Sequence, residues 1–112
     1  MDIDIIIPIY NAFDFVKKCI ETVIEHTDLT QHTLLLVNDK STDERILPLL
    51  NSFIKENQSL NIILIDNKDN QGFVRTVNIG MQYSHHDVVL LNSDTEVTRN
   101  WLSKIQNCAY SK

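Results

Sequence analysis

Glycine is scarce in this sequence: there are two in 112 residues, Gly72 and Gly80. The first apolar run passes into Tyr10-Asn11-Ala12-Phe13 without one. A dinucleotide fingerprint or a phosphate-cradling loop needs glycine at that turn, so that backbone can approach a pyrophosphate. Both are excluded. Cysteine is equally sparse. Cys19 and Cys108 lie far apart without CxxC spacing, which leaves two reduced thiols on helices rather than a disulfide framework or zinc site. No run of Lys or Arg relieves the formal net charge of -5, so nucleic acid and anionic membrane are poor partners. An anionic small molecule stays open, because a bound cation can override net charge locally. No apolar run approaches the roughly 18 residues of a transmembrane segment. The acidic start Met1-Asp2-Ile3-Asp4 does not read as a signal peptide. A cytoplasmic location is expected, with attachment at the inner face of a membrane through further chain left open.

What is present is ordinary for one folded domain: 43% hydrophobic and 22% charged residues. Four short apolar runs stand out. They are Ile3 with Ile5–Ile9, broken by Asp4 and Pro8, then Leu34–Val37, Ile62–Ile65 and Val88–Leu91. Continuous runs this short predict strands buried on both faces, as in a parallel sheet. Helical stripes alternate with them. Phe13, Val16, Cys19, Ile20, Val23 and Ile24 form one; Ile46, Leu47, Leu50, Phe53 and Ile54 form the next. Val74, Val77 and Met81 form a third, and Trp101, Leu102, Ile105, Cys108 and Ala109 a fourth. Each is expected to lay its apolar face on the sheet. Asn11 is expected to cap the first helix, Ser41 with Glu44 to form a capping box for the second, and Thr98 or Asn100 to cap the fourth. Pro48 predicts either a kink or a helix that restarts there. Gly80 is expected to weaken the third helix by roughly 1 kcal/mol relative to alanine. The order β-α-β-α-β-α-β-α gives an α/β, Rossmann-like parallel sheet with helices on both faces.

Small polar residues gather at the carboxyl ends of the strands. They are Tyr10-Asn11, Asn38-Asp39, Asp66-Asn67 and Asn92-Ser93-Asp94. All four ends share one edge of a parallel sheet, where such folds bind ligands. Turns and caps also favour these residue types, and that reading is preferred for Asn11, Asp66 and Asn67. Without a phosphate-cradling loop, a diphosphate would need a divalent cation on carboxylate oxygens. Asp94-Thr95-Glu96 offers two carboxylates, which an extended loop would point the same way. His85-His86 precedes the fourth strand at its amino end and reads as a solvated loop.

Ile5-Ile6-Ile7-Pro8-Ile9-Tyr10-Asn11 resembles the opening strand of family 2 glycosyltransferases. Val37-Asn38-Asp39-Lys40-Ser41-Thr42-Asp43 resembles their second motif. Asn70-Gln71-Gly72-Phe73 with Asn78-Ile79-Gly80 resembles the third, and Val88 to Val97 the metal-binding DxD region in its rhamnosyltransferase-like form. Four motifs occur in order over nearly the whole chain. Asn38 stands for the usual first Asp, Lys40 for Gly or Asn, and Val77 where many members carry Arg.

The resemblance implies the nucleotide-sugar-binding part of a GT-A fold over residues 1–112, with the acceptor-binding half lying beyond. It implies that Pro8, Tyr10, Asp39, Asn78 and Ser93 bind the nucleotide, Asp39 accepting a hydrogen bond from a uracil or thymine ring N–H. Gly72 would shape the same pocket. Asp94, assisted by Glu96, would hold Mg²⁺ or Mn²⁺ on the diphosphate. The implied reaction moves a sugar from a UDP- or dTDP-linked donor to a saccharide or lipid-linked acceptor, with inversion. The catalytic base of the family lies downstream of the metal motif, so this chain is expected to bind donor and catalyse little. The competing expectation is a non-catalytic or degenerate GT-A-like module without metal-dependent nucleotide binding.

Overall fold

A computed structural model describes residues 2–110, with side chains as far as Cys108. Four strands alternate with four helices: β1 (Ile3–Ile9), α1 (Phe13–His26), β2 (Thr33–Asn38), α2 (Ile46–Glu56), β3 (Ile62–Asp66), α3 (Phe73–Tyr83), β4 (Asp87–Leu90) and α4 (Trp101–Tyr110). The sheet is parallel throughout, in the order β3-β2-β1-β4. The predicted α/β architecture is therefore present. All seven residues of β1 are buried, as expected of a central strand with both faces covered.

The two faces are covered unequally. Ile3, Ile5, Ile7 and Ile9 of β1 and Leu34 and Leu36 of β2 join Val16, Cys19, Ile20 and Val23 of α1 and Ile46 and Leu50 of α2. Leu91, Val97, Trp101 and Leu102 close the same cluster. The other face holds a smaller one: Ile6, Leu35 and Val37, with Ile63, Ile65, Ile79 and Val88 against them. Only α3 covers it among the described residues.

Several local expectations change. In α3 two of the three residues of the expected stripe turn outward: Val74 is 70% exposed and Met81 51%, while Val77 is half-buried. Thr76 and Gly80 face the sheet instead. A Cβ on Gly80 would lie 2.9 Å from Ile6 Cγ2 and 3.3 Å from Val37 Cγ2. The helix thus packs through its smallest residue, and a hydrophobic count cannot register a missing side chain. In α4 only Trp101 and Leu102 of the stripe are buried; Ile105 and Cys108 are exposed, and Ala109 lies outside the described side chains.

The caps also differ. Ala12, not Asn11, occupies the N-cap of α1, and no side chain caps it. Asn11 accepts the amide of Asp43 at 2.9 Å instead. Arg45 is the N-cap of α2, so Ser41 and Glu44 lie before the helix and form no capping box. Asp43 Oδ1 takes the amide of Arg45 at 3.0 Å in their place. Ser41 is diverted to Asn38 and to the Asn11 amide. Before α4, Thr98 and Asn100 accept amides through backbone carbonyls. Pro48 is the third residue of α2, where its missing N–H would be unpaired anyway. The helix begins before Pro48 rather than at it.

Candidate functional site

The sheet order places β1 between β2 and β4, so the chain reverses direction across the sheet there. The carboxyl ends of β1 and β4 define the switch point where open α/β sheets bind ligands. Pro8 helps to open that crevice. The Ile6 carbonyl still accepts the amide of Leu91 at 2.9 Å, while the Ile9 carbonyl faces β2 and accepts Asp39 at 2.7 Å. By alternation, Pro8 presents its nitrogen toward β4. Proline has no proton to donate, and β4 pairing stops at Leu90 opposite Ile6.

A cavity of about 680 Å³ lies at this edge. The predicted Pro8, Tyr10, Asp39, Ser93 and Asp94 all line it, and so does Gly72. Asn78 and Glu96 do not; both are exposed elsewhere. Ala12, Phe15, Asn70, Phe73, Thr76 and Asn92 join the wall. Phe15 and Phe73 are 62% and 57% exposed. Phe15 interrupts the apolar stripe of α1, and that irregularity was the signal available in the sequence.

Asp39 is buried at 4% exposure and organises one wall. Its Oδ1 accepts the Gln71 amide at 2.6 Å and Asn67 Nδ2 at 3.0 Å. Its Oδ2 accepts the Gly72 amide at 2.9 Å. Burial alone would raise the carboxyl pKa, but the amides of Gln71 and Gly72 and the side chains of Asn67 and Thr76 outweigh it. The net shift is downward and keeps the group charged. Gly72 adopts φ 83 and ψ 165 beneath this carboxylate, a conformation essentially reserved for glycine. Asn67 also donates to Thr76. The polar residues at the strand ends are therefore tied mainly to one another. Asn38 bridges Ser41 and Asp66 in the same way.

On the opposite wall, Asn92 to Thr95 is a β-turn, closed by the Thr95 amide on the Asn92 carbonyl at 3.0 Å. Asp94 sits at its corner. The extended alternation that would aim Asp94 and Glu96 alike is replaced by this turn, and only Asp94 reaches the cavity. Asp94 is exposed and neither donates nor accepts a hydrogen bond among the described residues. Burial pushes the Cys19 thiol up to about 11, the Thr95 amide opposing and the Asp94 charge reinforcing. The thiol stays protonated and points its weak donor at the Asn92 carbonyl, 3.7 Å away.

Three backbone positions around the cavity are left-handed without glycine: Asn11 (φ 56), Ala12 (φ 60) and Lys40 (φ 52). Strain of this kind concentrates at functional sites. At the far edge His85 and His86 are exposed, as expected, although His86 Nδ1 lies 3.2 Å from the buried Asp4 carboxylate. Ser84 donates to the same carboxylate.

No group of three or more His, Cys, Asp or Glu side chains converges as a metal site among the described residues. A divalent cation would rest on Asp94, with Glu96 beside it in sequence, and complete its shell with ligand and water oxygens. One or two carboxylates plus phosphates is how Mg²⁺ is commonly held, so the residues fit such an ion. No described helix is long and apolar enough to cross a membrane.

Fold and site together define a parallel α/β domain with a nucleotide-sized crevice at its switch point. Residues 4–110 match the model of glycosyl transferase family 2, and the chain belongs to that family. It is 31% identical over 104 residues to polypeptide N-acetylgalactosaminyltransferase 11 of Xenopus tropicalis, covering 90% of this chain and 17% of that protein. A mannosyltransferase of Pyrobaculum calidifontis in complex with GDP-Man and Mn²⁺ superposes with a TM-score of 0.80 at 17% identity, covering 90% of this chain and 32% of that one. S. aureus TarS 1-349 in complex with UDP-GlcNAc gives a TM-score of 0.78 at 18% identity, covering 95% and 30%. The chain thus spans less than a third of the length of each. The GT-A glycosyltransferase fold expected from the sequence is shown.

Proposed function

We propose that residues 1–112 form the donor-binding unit of an inverting glycosyltransferase that takes a UDP- or dTDP-linked sugar. The observation that carries this reading is the cavity's division of labour. A buried, charged Asp39 stands on one wall and an exposed Asp94 without hydrogen bonds on the other. Oδ1 takes two internal donors and Oδ2 the Gly72 amide, and the proposal places a ring N–H of the base against Oδ2. Tyr10, Phe15 and Phe73 offer faces for the base, and the backbone at Pro8 and Ser93 shapes the floor. The sugar diphosphate then runs toward Asp94.

Mg²⁺ or Mn²⁺ held there, with Glu96 assisting through water, would offset charge on the leaving diphosphate. In the reaction an acceptor hydroxyl of a saccharide or lipid-linked sugar bonds to the anomeric carbon as the carbon–diphosphate oxygen bond breaks. The hydroxyl proton passes to a carboxylate base. The chain alone is expected to bind donor without turnover, and a cytoplasmic setting belongs to the same proposal. Asn78 has no part in it, since it lies off the cavity.

Titration with UDP, dTDP and GDP, with and without Mn²⁺, tests the reading. Uracil or thymine nucleotides should bind more tightly with the metal, and Asp94→Ala should erase that gain. A folded protein that binds none of them at millimolar concentration is the result for a degenerate module and would refute the proposal.

A further inference from the structure

The carboxylate proposed to hold the cation has no side-chain support of its own, so its position must come from the backbone of its loop. That loop is fastened almost wholly to α1. At its start, Leu91 is buried and its amide extends the sheet ladder onto Ile6. The Asn92 carbonyl then receives the Cys19 thiol. At its end, Val97 is buried and its amide donates to Thr22 Oγ1 at 3.1 Å. The Thr22 hydroxyl donates its own hydrogen bond to the Cys19 carbonyl, 2.8 Å away. It is therefore oriented by the helix, with a lone pair free to receive the loop. Thr22 itself is 7% exposed, and a buried amide without a partner would be costly. A valine there would keep the shape and lose the acceptor.

We infer that Thr22 is a positioning residue for the cation-holding turn Asn92–Glu96, fixing Asp94 through the amide of Val97. The inference rests on the donor-site reading above. A sequence view hides Thr22, because it is a polar residue beside the apolar stripe of a helix, 72 residues before Asp94. A second bond nearby serves as a control. Thr27 Oγ1, at the end of α1, accepts Trp101 Nε1 of α4 at 2.8 Å, beyond the turn that carries Asp94.

The experiment compares UDP affinity with and without Mn²⁺ in wild type, Thr22→Val, Thr22→Ser and Thr27→Val. Melting curves and amide exchange at Val97 are followed in parallel. Thr22→Val should lose roughly three- to tenfold of the metal-dependent gain, the size of one hydrogen bond, while metal-free affinity holds. Thr22→Ser should restore the gain and the slow exchange of Val97. Thr27→Val should melt earlier but keep the gain. If Thr22→Val keeps the full gain, or weakens binding equally with and without metal, the positioning role is overturned and the donor-site reading survives. If wild type shows no metal-dependent gain, both are overturned. Should Thr22→Val fail to fold, an unrestored gain in Thr22→Ser with Val97 protected would overturn the role equally.

Discussion

The carboxylate of Asp39 holds the amide of Gly72 at 2.9 Å across 33 residues of sequence. One bond thus joins the end of β2 to the start of α3 and sets the wall between them. Asp39→Asn would place an N–H₂ group or a weaker acceptor against the donors of Gln71, Gly72 and Asn67. The expected cost is about 2 kcal/mol in chemical denaturation, the usual penalty for unpairing buried, charge-assisted bonds. Because the folded pKa lies below the ordinary 3.8, this stabilisation is complete above that value. It is lost as pH falls below it. Acid unfolding curves should show Asp39→Asn flatter than wild type in that window; parallel curves would contradict the account.

Gly80→Ala reverses the usual helix expectation. Alanine is favoured by about 1 kcal/mol in a helix interior, yet here its Cβ would stand 2.9 Å from the buried Ile6. Overpacking of this kind commonly costs about 1–3 kcal/mol. A net loss of stability in urea is expected, and a gain would show that α3 can lift from the sheet without penalty.

Phe15→Ala tests the cavity without testing the core. The ring is 62% exposed and lines the proposed base site. UDP affinity should fall about tenfold, as for loss of one base–aromatic stack, with stability unchanged within about 0.5 kcal/mol. An equal loss of affinity for inorganic diphosphate would place the ring against the phosphates instead.

The two thiols should differ sharply. Cys19 is buried with its pKa pushed up to about 11, whereas Cys108 is exposed. At pH 8 a thiol reagent should modify Cys108 at once and Cys19 only on unfolding. As pH rises from the ordinary 9.0 toward about 11, the unfolded chain ionises at Cys19 before the folded one does. Stability should therefore decline over that interval, and Cys19→Ala should remove this part of the decline.

Glu96 and Asp94 should separate. Asp94→Ala should abolish the metal-dependent increment, while Glu96→Ala should reduce it only a few-fold, since a carboxylate acting through water adds one weaker interaction. Equal effects of the two substitutions in Mn²⁺ titrations would put both carboxylates on the ion.

Much of this was legible beforehand. β1 to β4 announced themselves as short apolar runs, although burial on both faces, expected of all four, holds for β1 and β2 only; β3 and β4 are half-buried edge strands. Their polar ends marked the binding edge because the apolar run stops where the strand stops, even though Asn38 and Asp39 there stay buried and bond to neighbouring loops. Pro8, Tyr10, Asp39, Ser93 and Asp94 could be gathered from that rule and from the motif order. Asn78 and Glu96 could not be sorted from them, since which side of a helix or turn faces the cavity depends on packing.

By itself the sequence determined the class of fold, the order of its elements and the edge that carries the site, because periodicity and strand-end polarity are local properties of the chain. Only the tertiary structure decided how that edge is built. Asn11 and Ser41 left their helices to tie loops together, because donors 30 to 32 residues away competed for the same oxygens. Gly80 turned α3 around, because close approach to Ile6 favours an absent side chain over an apolar one. Asp94 was set on a turn held from α1. Hydrogen bonds and contacts over such separations follow from three-dimensional proximity, which no local pattern of residues records.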